Sequence, residues 1–247
     1  MPIATYRKHA SRVLTRATRA SRSLLVDKTP GPLRRWLAPV GLHADMLFVD
    51  HGIFRVAYLN RHQLGPDAQR AAQPTPGQVR RLANRGLKTI INLRGVRQCG
   101  SFWLEQRACE KHGVELVNFT VRSRGAPTRN EVHGAKKIFD EISYPMLLHC
   151  KSGADRAGLM SVLYMHIRGG LPIEEARAQL ALRFGHIRQA KTGILDAFFD
   201  QYVDYNAKTP ISFFEWVDTV YDPQALIDSF ESRSWADRLV DGILRRE

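Results

Sequence analysis

A cysteine and an arginine six residues apart are the most informative feature of this sequence. Residues 149–158 read His-Cys-Lys-Ser-Gly-Ala-Asp-Arg-Ala-Gly, the pattern H-C-x-x-G-x-x-R-x-G. Five fixed residues at about 5% each give a chance match on the order of 10⁻⁴ in a chain of this length. A thiolate is a strong nucleophile, and a guanidinium can form two parallel hydrogen bonds with phosphate oxygens. The pattern therefore predicts nucleophilic chemistry at a phosphate group, with Cys150 and Arg156 as the central residues.

An apolar run at 145–149 predicts a short buried strand before the motif, and residues 157–169 predict a helix after it. Backbone N–H groups in the turn between them would form an anion-binding nest, strengthened by the positive end of the helix dipole. Such a field favours a thiolate at Cys150, with the neighbouring His149 in support. The alternative, an ordinary buried cysteine at a strand end, does not account for the full pattern. The predicted phosphate-binding residues are Lys151, Ser152, Gly153, Ala154, Ala157 and Gly158.

The same alternation of strand and helix extends over residues 43–205. Strands are predicted at 54–59, 89–93 and 114–121, and helices at 76–86, 103–112, 129–142 and 172–183. The dipeptide Thr75-Pro76 and the pair Thr128 and Glu131 are typical of helix N-termini. Short apolar strands that alternate with helices indicate an α/β fold with a central, mostly parallel sheet flanked by helices. Ligands of such sheets bind at the carboxyl ends of the strands, where Cys150 is predicted to lie.

Length and composition limit the class of protein. The 247 residues are 44% hydrophobic, which is too apolar for a disordered chain. No run approaches the ~20 apolar residues of a membrane span, so an integral membrane protein is excluded. Three cysteines form neither a disulfide framework nor a zinc-binding CxxC pair, and this favours a reducing, cytoplasmic location.

Charge divides the chain into three parts. Residues 1–42 hold nine Lys and Arg against one Asp, and we interpret them as a basic N-terminal arm before a catalytic domain at 43–205. The arm could contact anionic lipid at the inner face of the membrane, form a floppy tail, or be a transit peptide in a eukaryote. It has few aromatic side chains for stacking, so nucleic acid is not an expected partner. Residues 206–247 predict a helical, acidic extension whose aromatic side chains, around Phe213 and Trp235, pack on the domain or on a partner.

The motif His149-Cys150-x5-Arg156 resembles the signature of the cysteine-dependent protein tyrosine and dual-specificity phosphatases. The segments 70–76 and 90–94 resemble the opening of compact bacterial dual-specificity-like members, and the resemblance extends over about residues 50–205. It implies a dual-specificity-phosphatase-like fold and a reaction in two steps. Cys150 would attack phosphorus and form a cysteinyl-phosphate, while Arg156 and the N–H groups of the turn hold the equatorial oxygens. An acid would protonate the leaving oxygen, water would then release phosphate, and neither a metal nor a cofactor is implied.

The general acid is where the sequence departs from this family. Most members carry an Asp on a separate loop about thirty residues before the Cys, but residues 121–127 contain no carboxylate. Asp155, inside the motif, is therefore the candidate acid, as in the similar phosphoinositide-type phosphatases and some bacterial enzymes of mixed protein and lipid specificity. Alternatively, Asp155 only orients Arg156 through an ion pair. The family usually has Ser or Thr at the position of Ala157, and Ser152 and Ser161 are candidate substitutes for that hydroxyl.

The substrate class has weaker signals. Arg94, Arg122 and Arg124 form a candidate basic rim, which suits a substrate with several phosphates or one in an anionic membrane, although each is equally interpretable as a solvated surface charge. The leading interpretation is a phosphatase acting on phosphoproteins, with tyrosine or dual specificity. A phosphorylated lipid or phosphoinositide-type head group at a membrane surface is the alternative substrate. A phosphate-binding module with little turnover is a third interpretation.

Overall fold

The computed structural model describes residues 40–50, Arg55 and residues 57–232. The predicted basic arm therefore lies outside the described residues except for residues 40–42, and so does the predicted helix around Trp235. No helix within the described part of the chain is long and apolar enough to cross a membrane.

Five strands form the central sheet. They are β1 (His62–Gly65), β2 (Ala68–Ala72), β3 (Thr89–Asn92), β4 (Glu115–Asn118) and β5 (Met146–Cys150), in the spatial order β1-β2-β5-β3-β4. Strands β1 and β2 are antiparallel, and the pairs β2–β5, β5–β3 and β3–β4 are parallel. The prediction of a mostly parallel sheet is thus confirmed. Strand β5 lies at the centre with all of its residues buried, so the cysteine at its end is fixed between two neighbouring strands.

Helices connect the strands and follow them. They are α1 (Pro76–Ala83), α2 (Gly100–His112), α3 (Arg129–Glu141), α4 (Asp155–Ile167), α5 (Ile173–Ala176), α6 (Ile194–Asn206) and α7 (Phe213–Thr219). A π-helical turn lies at Asp45–Val49, 3₁₀ turns lie at Arg177–Gln179, Leu182–Phe184 and Lys191–Gly193, and residues 223–232 are helical.

Both faces of the sheet are covered by helices. Because successive residues of a strand point to opposite faces, Ile90 and Leu147 pack against α1 and α2, whereas Ile91 and Leu148 pack against α3, α4, α6 and α7. The strands therefore read as continuous apolar runs, which is the pattern of a sheet buried on both sides.

The predicted start of α3 is confirmed in detail. The hydroxyl of Thr128 accepts a hydrogen bond from the backbone N–H of Glu131 at 3.1 Å, and the Glu131 carboxylate accepts one from the backbone N–H of Thr128 at 2.7 Å. These two bonds satisfy N–H groups that have no partner within the helix, and so they fix the residue at which α3 begins.

The strand predicted at 54–59 is wrong. Arg55 and Ala57 are helical, and β1 begins at His62. The loose alternation of this segment misleads because the Arg55 side chain is buried and hydrogen-bonded to Asp50. Tertiary contacts of this kind outweigh weak local strand patterns.

The helix predicted at 172–183 is shorter than expected. Helix α5 ends at Ala176, and the chain continues as two 3₁₀ turns. The carbonyl oxygen of Gln179 accepts a hydrogen bond from the buried guanidinium of Arg70 at 2.6 Å. A hydrogen bond to a buried charge is worth more than the local helix propensity, so the segment follows this contact.

The described part of the predicted C-terminal extension packs on its own domain. Phe213, Trp216 and Tyr221 are buried in the same apolar cluster as α4 and α6. Arg129 on α3 donates to the carbonyl oxygens of Val217 and Tyr221. Residues 206–232 therefore complete the core on this face of the sheet. The boundaries of the basic arm, the catalytic domain and the C-terminal extension stay predictions.

Candidate active site

The loop at residues 151–154 connects β5 to α4 at the carboxyl edge of the sheet. Cys150 ends β5 and is buried between β2 and β3. Gly153 has a φ of +77°, and a Cβ there would lie 2.7 Å from the backbone of both Ala71 and Ala72. Only glycine fits this approach, so the glycine of the motif lets the loop curl against the neighbouring strand.

The carbonyl groups of this loop point away from its centre. Asn60 donates its Nδ2 to the carbonyl of Ser152 at 2.9 Å, and Arg70 donates its Nη2 to the carbonyls of Gly153 and Ala154 at 2.8 and 3.0 Å. The backbone N–H groups of residues 151–154 donate to no acceptor in the described part of the chain. With the N-terminus of α4 beside them, these N–H groups form the anion-binding nest that the sequence predicts.

Arg70 supports the loop from beneath. Its side chain is fully buried, donates from Nη1 to Gln179, and lies 4.1 Å from the ring centroid of Phe184. Burial lowers the pKa of Arg70 to about 10, which leaves the guanidinium charged at neutral pH. A planar cation thus joins the loop, the 3₁₀ turns after α5 and strand β2 into one unit.

Arg156 lies in the first turn of α4 and is partly buried. Burial lowers the pKa of its guanidinium, and the charge of Cys150 opposes that shift. Its Nη1 is 3.5 Å from the carbonyl oxygen of Leu93, which leaves the other donors of the fork without a strong protein partner among the described residues. The arrangement is suited to hold an anion next to the thiol.

His149 begins a buried polar network behind the cysteine. Its Nε2 lies 2.8 Å from Oε1 of Glu105, and both side chains are fully buried, although the two atoms are not aligned as a regular hydrogen bond. The other oxygen of Glu105 accepts from Gln73 at 2.7 Å. The side-chain amide oxygen of Gln73, Oε1, then accepts hydrogen bonds from Arg55 and Arg94. His149 is therefore held by buried partners on both ring nitrogens, since its Nδ1 lies 3.2 Å from the carbonyl oxygen of Cys150.

Asp50 closes this network. Arg94 binds its two carboxylate oxygens at 2.6 and 2.9 Å, and Arg55 and Ser101 also donate to it. Burial alone would raise the pKa of Asp50, but the hydrogen bond and charge of Arg94, with Ser101 and Arg55, hold it well below its usual range. The Nζ atom of Lys151 lies 3.3 Å from the same carboxylate. Asp50 therefore connects the first residue of the loop to the buried network.

Asp155, the candidate acid, contacts a histidine. Its Oδ1 lies 2.8 Å from Nδ1 of His186, and Nε2 of His186 lies 2.6 Å from Oδ2 of Asp196 on α6. The ion pair of Asp155 among the described residues is with His186, and the alternative pairing with Arg156 is not formed. Asp155 is the first residue of α4 and its side chain is 25% exposed.

The other predicted site residues fall into two groups. Arg122 and Arg124 are exposed on the loop after β4. Their role in a basic rim around the site stays a prediction. Arg94 is buried against Asp50 and is thus a partner of the network, not an exposed rim group.

Small residues near the start of α4 are packed tightly. Ala157 is buried, and a Cβ on Gly158 would lie 2.6 Å from the side chain of Leu180. The hydroxyl of Ser161 donates to the carbonyl of Ala157 at 2.6 Å, so it is occupied within its own helix. Of the two candidate substitutes for the missing hydroxyl, the exposed Ser152 is the one whose side chain has no hydrogen bond to another described residue.

Several supporting side chains were not predicted from the sequence. They are Asn60, Arg70, Glu105, His186 and Asp196. Arg70 lies in the segment 70–76 that was singled out as a motif, but its contact with Gly153 spans 83 residues of chain. A buried polar residue that acts through such a distant partner has no periodic signal in one sequence.

The family match agrees with this geometry. The family described as PTP-NADK, "DSP-PTPase phosphatase fused to NAD+ Kinase", matches residues 64–193. This range contains the whole motif, together with Arg70 and His186. No curated protein matches the chain.

Several solved structures resemble the fold. TpbA from P. aeruginosa is 20% identical, with a TM-score of 0.48, over 59% of this chain and 86% of that one. A putative phosphatase from Neisseria meningitidis is 25% identical, with a TM-score of 0.42, over 54% of this chain and 94% of that one. A putative phosphatase from Shewanella putrefaciens is 19% identical, with a TM-score of 0.46, over 63% of this chain and 97% of that one.

Proposed function

Because this chain belongs to the family of DSP-PTPase phosphatases described as fused to NAD+ kinase, we propose that it hydrolyses phosphomonoesters with Cys150 as the nucleophile. The observation that carries the proposal is the loop at 151–154, whose carbonyls bind Asn60 and Arg70 while its N–H groups have no acceptor among the described residues. A thiol at one end of such a nest and a guanidinium at the other fit a tetrahedral dianion.

The proposed reaction has two steps. Sγ of Cys150 attacks phosphorus, a sulfur–phosphorus bond forms, and the bond to the leaving oxygen breaks. Arg156 and the loop N–H groups hold the three equatorial oxygens as their charge redistributes. Asp155 gives its proton to the leaving oxygen. In the second step Asp155 takes a proton from water, the water oxygen attacks phosphorus, and the sulfur–phosphorus bond breaks to release phosphate and the thiolate.

A phosphoprotein, with tyrosine or dual specificity, is the first substrate class we propose, since the family is one of dual-specificity and tyrosine phosphatases. Under this assignment the basic arm at 1–42 is a tether or a partner-binding segment. A cytoplasmic location, with peripheral contact at the inner face of the membrane, belongs to the same proposal.

A phosphorylated lipid is the second substrate class, and one surface favours it. The loop at 181–191 is joined to the phosphate-binding loop because Asn60 donates to the carbonyls of both Ser152 and Phe184 at 2.9 Å. On this loop Leu182 and Ile187 are 76% and 51% exposed. The same loop carries the exposed cations Arg183, Arg188 and Lys191. Exposed apolar side chains next to cations are suited to contact an anionic membrane surface.

Phosphate release with chelator present distinguishes these assignments. The substrates are a phosphotyrosine peptide and phosphatidylcholine vesicles that contain phosphatidic acid, and wild type is compared with Cys150→Ser. If the Cys150→Ser variant still releases phosphate from both substrates, the cysteine mechanism is refuted. Release from neither, with inorganic phosphate still bound, would favour a binding module.

A pair of surface variants tests the lipid assignment. Leu182→Ser with Ile187→Ser is expected to lower release from vesicles but not from the peptide if the lipid is the substrate. The matched control is Val220→Ser, an exposed apolar side chain on the segment after α7. Equal release from vesicles by both variants would contradict a lipid-facing role for the 181–191 loop.

A further inference from the structure

We propose that His186 and Asp196 are positioning residues that hold a fixed positive charge against Asp155, the carboxyl group that gives and takes the proton. This inference rests on the proposed function, because it assigns a role to residues that support its acid. They would support Asp155 in the role of the acid, which the loop at 121–127 cannot fill because it has no carboxylate.

The geometry defines the charge state of the imidazole. His186 is 1% exposed and lies between two carboxylates, with Nδ1 2.8 Å from Asp155 and Nε2 2.6 Å from Asp196. A carboxylate oxygen accepts hydrogen bonds, and a neutral imidazole has only one N–H to donate. Both contacts are satisfied together when the ring carries a proton on each nitrogen.

The electrostatic balance agrees with the geometry. Burial lowers the pKa of His186, but the hydrogen bonds and charges of Asp155 and Asp196 outweigh it and raise the pKa to about 9. Asp196 is the more buried of the two carboxylates and has the shorter contact, so it is the permanent counter-ion. Asp155 is the more exposed of the two and is therefore the carboxyl group that a substrate could reach.

The two oxygens of Asp155 have different roles. Oδ1 is fixed by His186, whereas Oδ2 accepts no hydrogen bond from any described residue. Asp155 also directly precedes Arg156, the residue proposed to hold the phosphate. Fixing one oxygen thus leaves the other free to donate a proton to a leaving group.

The protons balance over the full reaction. Asp155 enters the first step with its proton on Oδ2, while Oδ1, then the carbonyl oxygen of the acid, still accepts the hydrogen bond from His186. Asp155 gives that proton to the leaving oxygen, and the carboxylate that forms is stabilised by the imidazolium on Oδ1. In the second step the attacking water returns a proton to Oδ2. His186 keeps both of its protons throughout, so it stabilises charge and does not itself transfer a proton.

Other charged groups also face Asp155. Arg156 in the same helical turn and Arg70 on β2 interact with it electrostatically, and both arginines also interact with Cys150. These groups remain when His186 is replaced. The loss of the imidazolium is therefore expected to change the charge balance at Asp155 without abolishing it.

The test is the pH profile of kcat/KM for wild type, His186→Gln, Asp196→Asn and Asp155→Asn. The substrates are phenyl phosphate, which has a poor leaving group, and p-nitrophenyl phosphate, which has a better one. His186→Gln is expected to move the basic limb of the profile to higher pH by about one unit, and to reduce phenyl phosphate turnover several-fold more than that of p-nitrophenyl phosphate. Asp196→Asn is expected to shift the limb in the same direction by a smaller amount.

Equal losses on both substrates with an unmoved limb in His186→Gln would overturn the inference, since a merely structural role has that outcome. If Cys150→Ser remains active, the proposed function fails instead, and the two failures are thereby separate. Should His186→Gln and Asp196→Asn both fail to fold, ¹⁵N NMR of the His186 imidazole in the wild-type protein decides the question. Protonation of both ring nitrogens of His186 at pH 7 is expected, and a neutral ring would refute the proposal.

Discussion

Arg70 on β2 donates its Nη2 to the carbonyl oxygen of Gly153 at 2.8 Å, and so ties the phosphate-binding loop to the neighbouring strand. The same guanidinium binds the carbonyls of Ala154 and Gln179. Because these bonds hold the loop carbonyls outward, the N–H groups on the opposite side of the loop stay available to an anion. The proposed phosphate site therefore depends on a buried cation that binds the carbonyl side of the loop.

Arg70→Lys is expected to reduce kcat/KM about tenfold or more, because an ammonium group lacks the planar fork that bridges Gly153, Ala154 and Gln179. Steady-state kinetics with p-nitrophenyl phosphate measures the effect. Arg61→Lys, at an exposed arginine next to β1, is the matched control and should change activity less than about twofold. Wild-type activity in Arg70→Lys would contradict the supporting role.

Gly153→Ala and Gly170→Ala form a second matched pair. Both glycines have positive φ, but a Cβ on Gly153 meets the β2 backbone at 2.7 Å, whereas a Cβ on Gly170 meets no atom within 4 Å. Gly170→Ala should lower the free energy of unfolding by about 1 kcal/mol from the backbone conformation alone. Gly153→Ala should lower it by a further amount of about 1–3 kcal/mol, because the new Cβ overpacks against β2. Urea denaturation measures both, and calorimetry should show that only Gly153→Ala loses phosphate binding. Equal costs at the two sites would show that the contact with β2 does not constrain the loop.

Asp50→Asn removes the carboxylate that neutralises Arg94 and Arg55. Breaking a buried ion pair leaves uncompensated charge, so we expect a loss of about 3 kcal/mol in the free energy of unfolding at pH 7. Asp140→Asn is the control, since Asp140 forms an exposed pair with Lys136 worth only about 0.5 kcal/mol.

The pH dependence of this difference has a defined sign. The pKa of Asp50 is lowered in the folded protein, so its contribution is present above its unfolded pKa of 3.8 and is lost as pH falls. The difference between wild type and Asp50→Asn should therefore begin to shrink below about pH 4 and be smaller at pH 3 than at pH 7. Urea titrations at pH 7 and pH 3 measure this, and a constant difference would show that Asp50 is not held as an ion.

The three cysteines should differ in reactivity. Burial raises the pKa of the Cys109 thiol to about 12, with Glu105 and Glu110 adding to the shift, so Cys109 should resist iodoacetate in the native protein. Cys150 is expected to be modified first, and inorganic phosphate should slow its modification by occupying the nest. Mass spectrometry of peptides after brief labelling at pH 7 reports both. Labelling of Cys109 before Cys150 would be incompatible with the proposed nucleophile.

The candidate residues of the loop at 150–156 were predictable from the sequence, and the side chains that hold this loop were not. The order strand, loop and helix around Cys150 followed from an apolar run, a glycine and the periodicity of α4, all of which are local signals. The α3 cap at Thr128 was local as well. Contacts such as Asn60 with Ser152, by contrast, join residues 92 positions apart, and one sequence contains no pattern that pairs them.

Local rules also failed where a buried charge imposed its own geometry. The segment at 54–59 alternates as a strand does, yet Arg55 is bound inside the protein to Asp50. The helix predicted from Pro172 breaks after Ala176, where the next turn reaches Arg70. Both errors arise because a desolvated guanidinium requires several acceptors, and the backbone adjusts to provide them.

The His186 ion pairs predict a pH dependence of stability at the alkaline side. The pKa of His186 is raised from 6.5 to about 9 in the folded protein, so the stabilisation is fully present below pH 6.5 and is lost as pH rises through about 9. At 1.36 kcal/mol for each unit of pKa change, the loss between these limits is ~3 kcal/mol at most. His186→Gln cannot be charged and should show no such decline.

The measurement is the free energy of unfolding by urea at pH 6, 8 and 10 for wild type and His186→Gln. We expect the wild type to lose its advantage between pH 6 and pH 10, and the two curves to meet at the alkaline end. His133→Gln is a suitable control, because His133 forms an exposed pair with Asp218 and contributes little. Parallel curves for wild type and His186→Gln would show that the ring between Asp155 and Asp196 is not charged, and would remove the support for its role beside the acid.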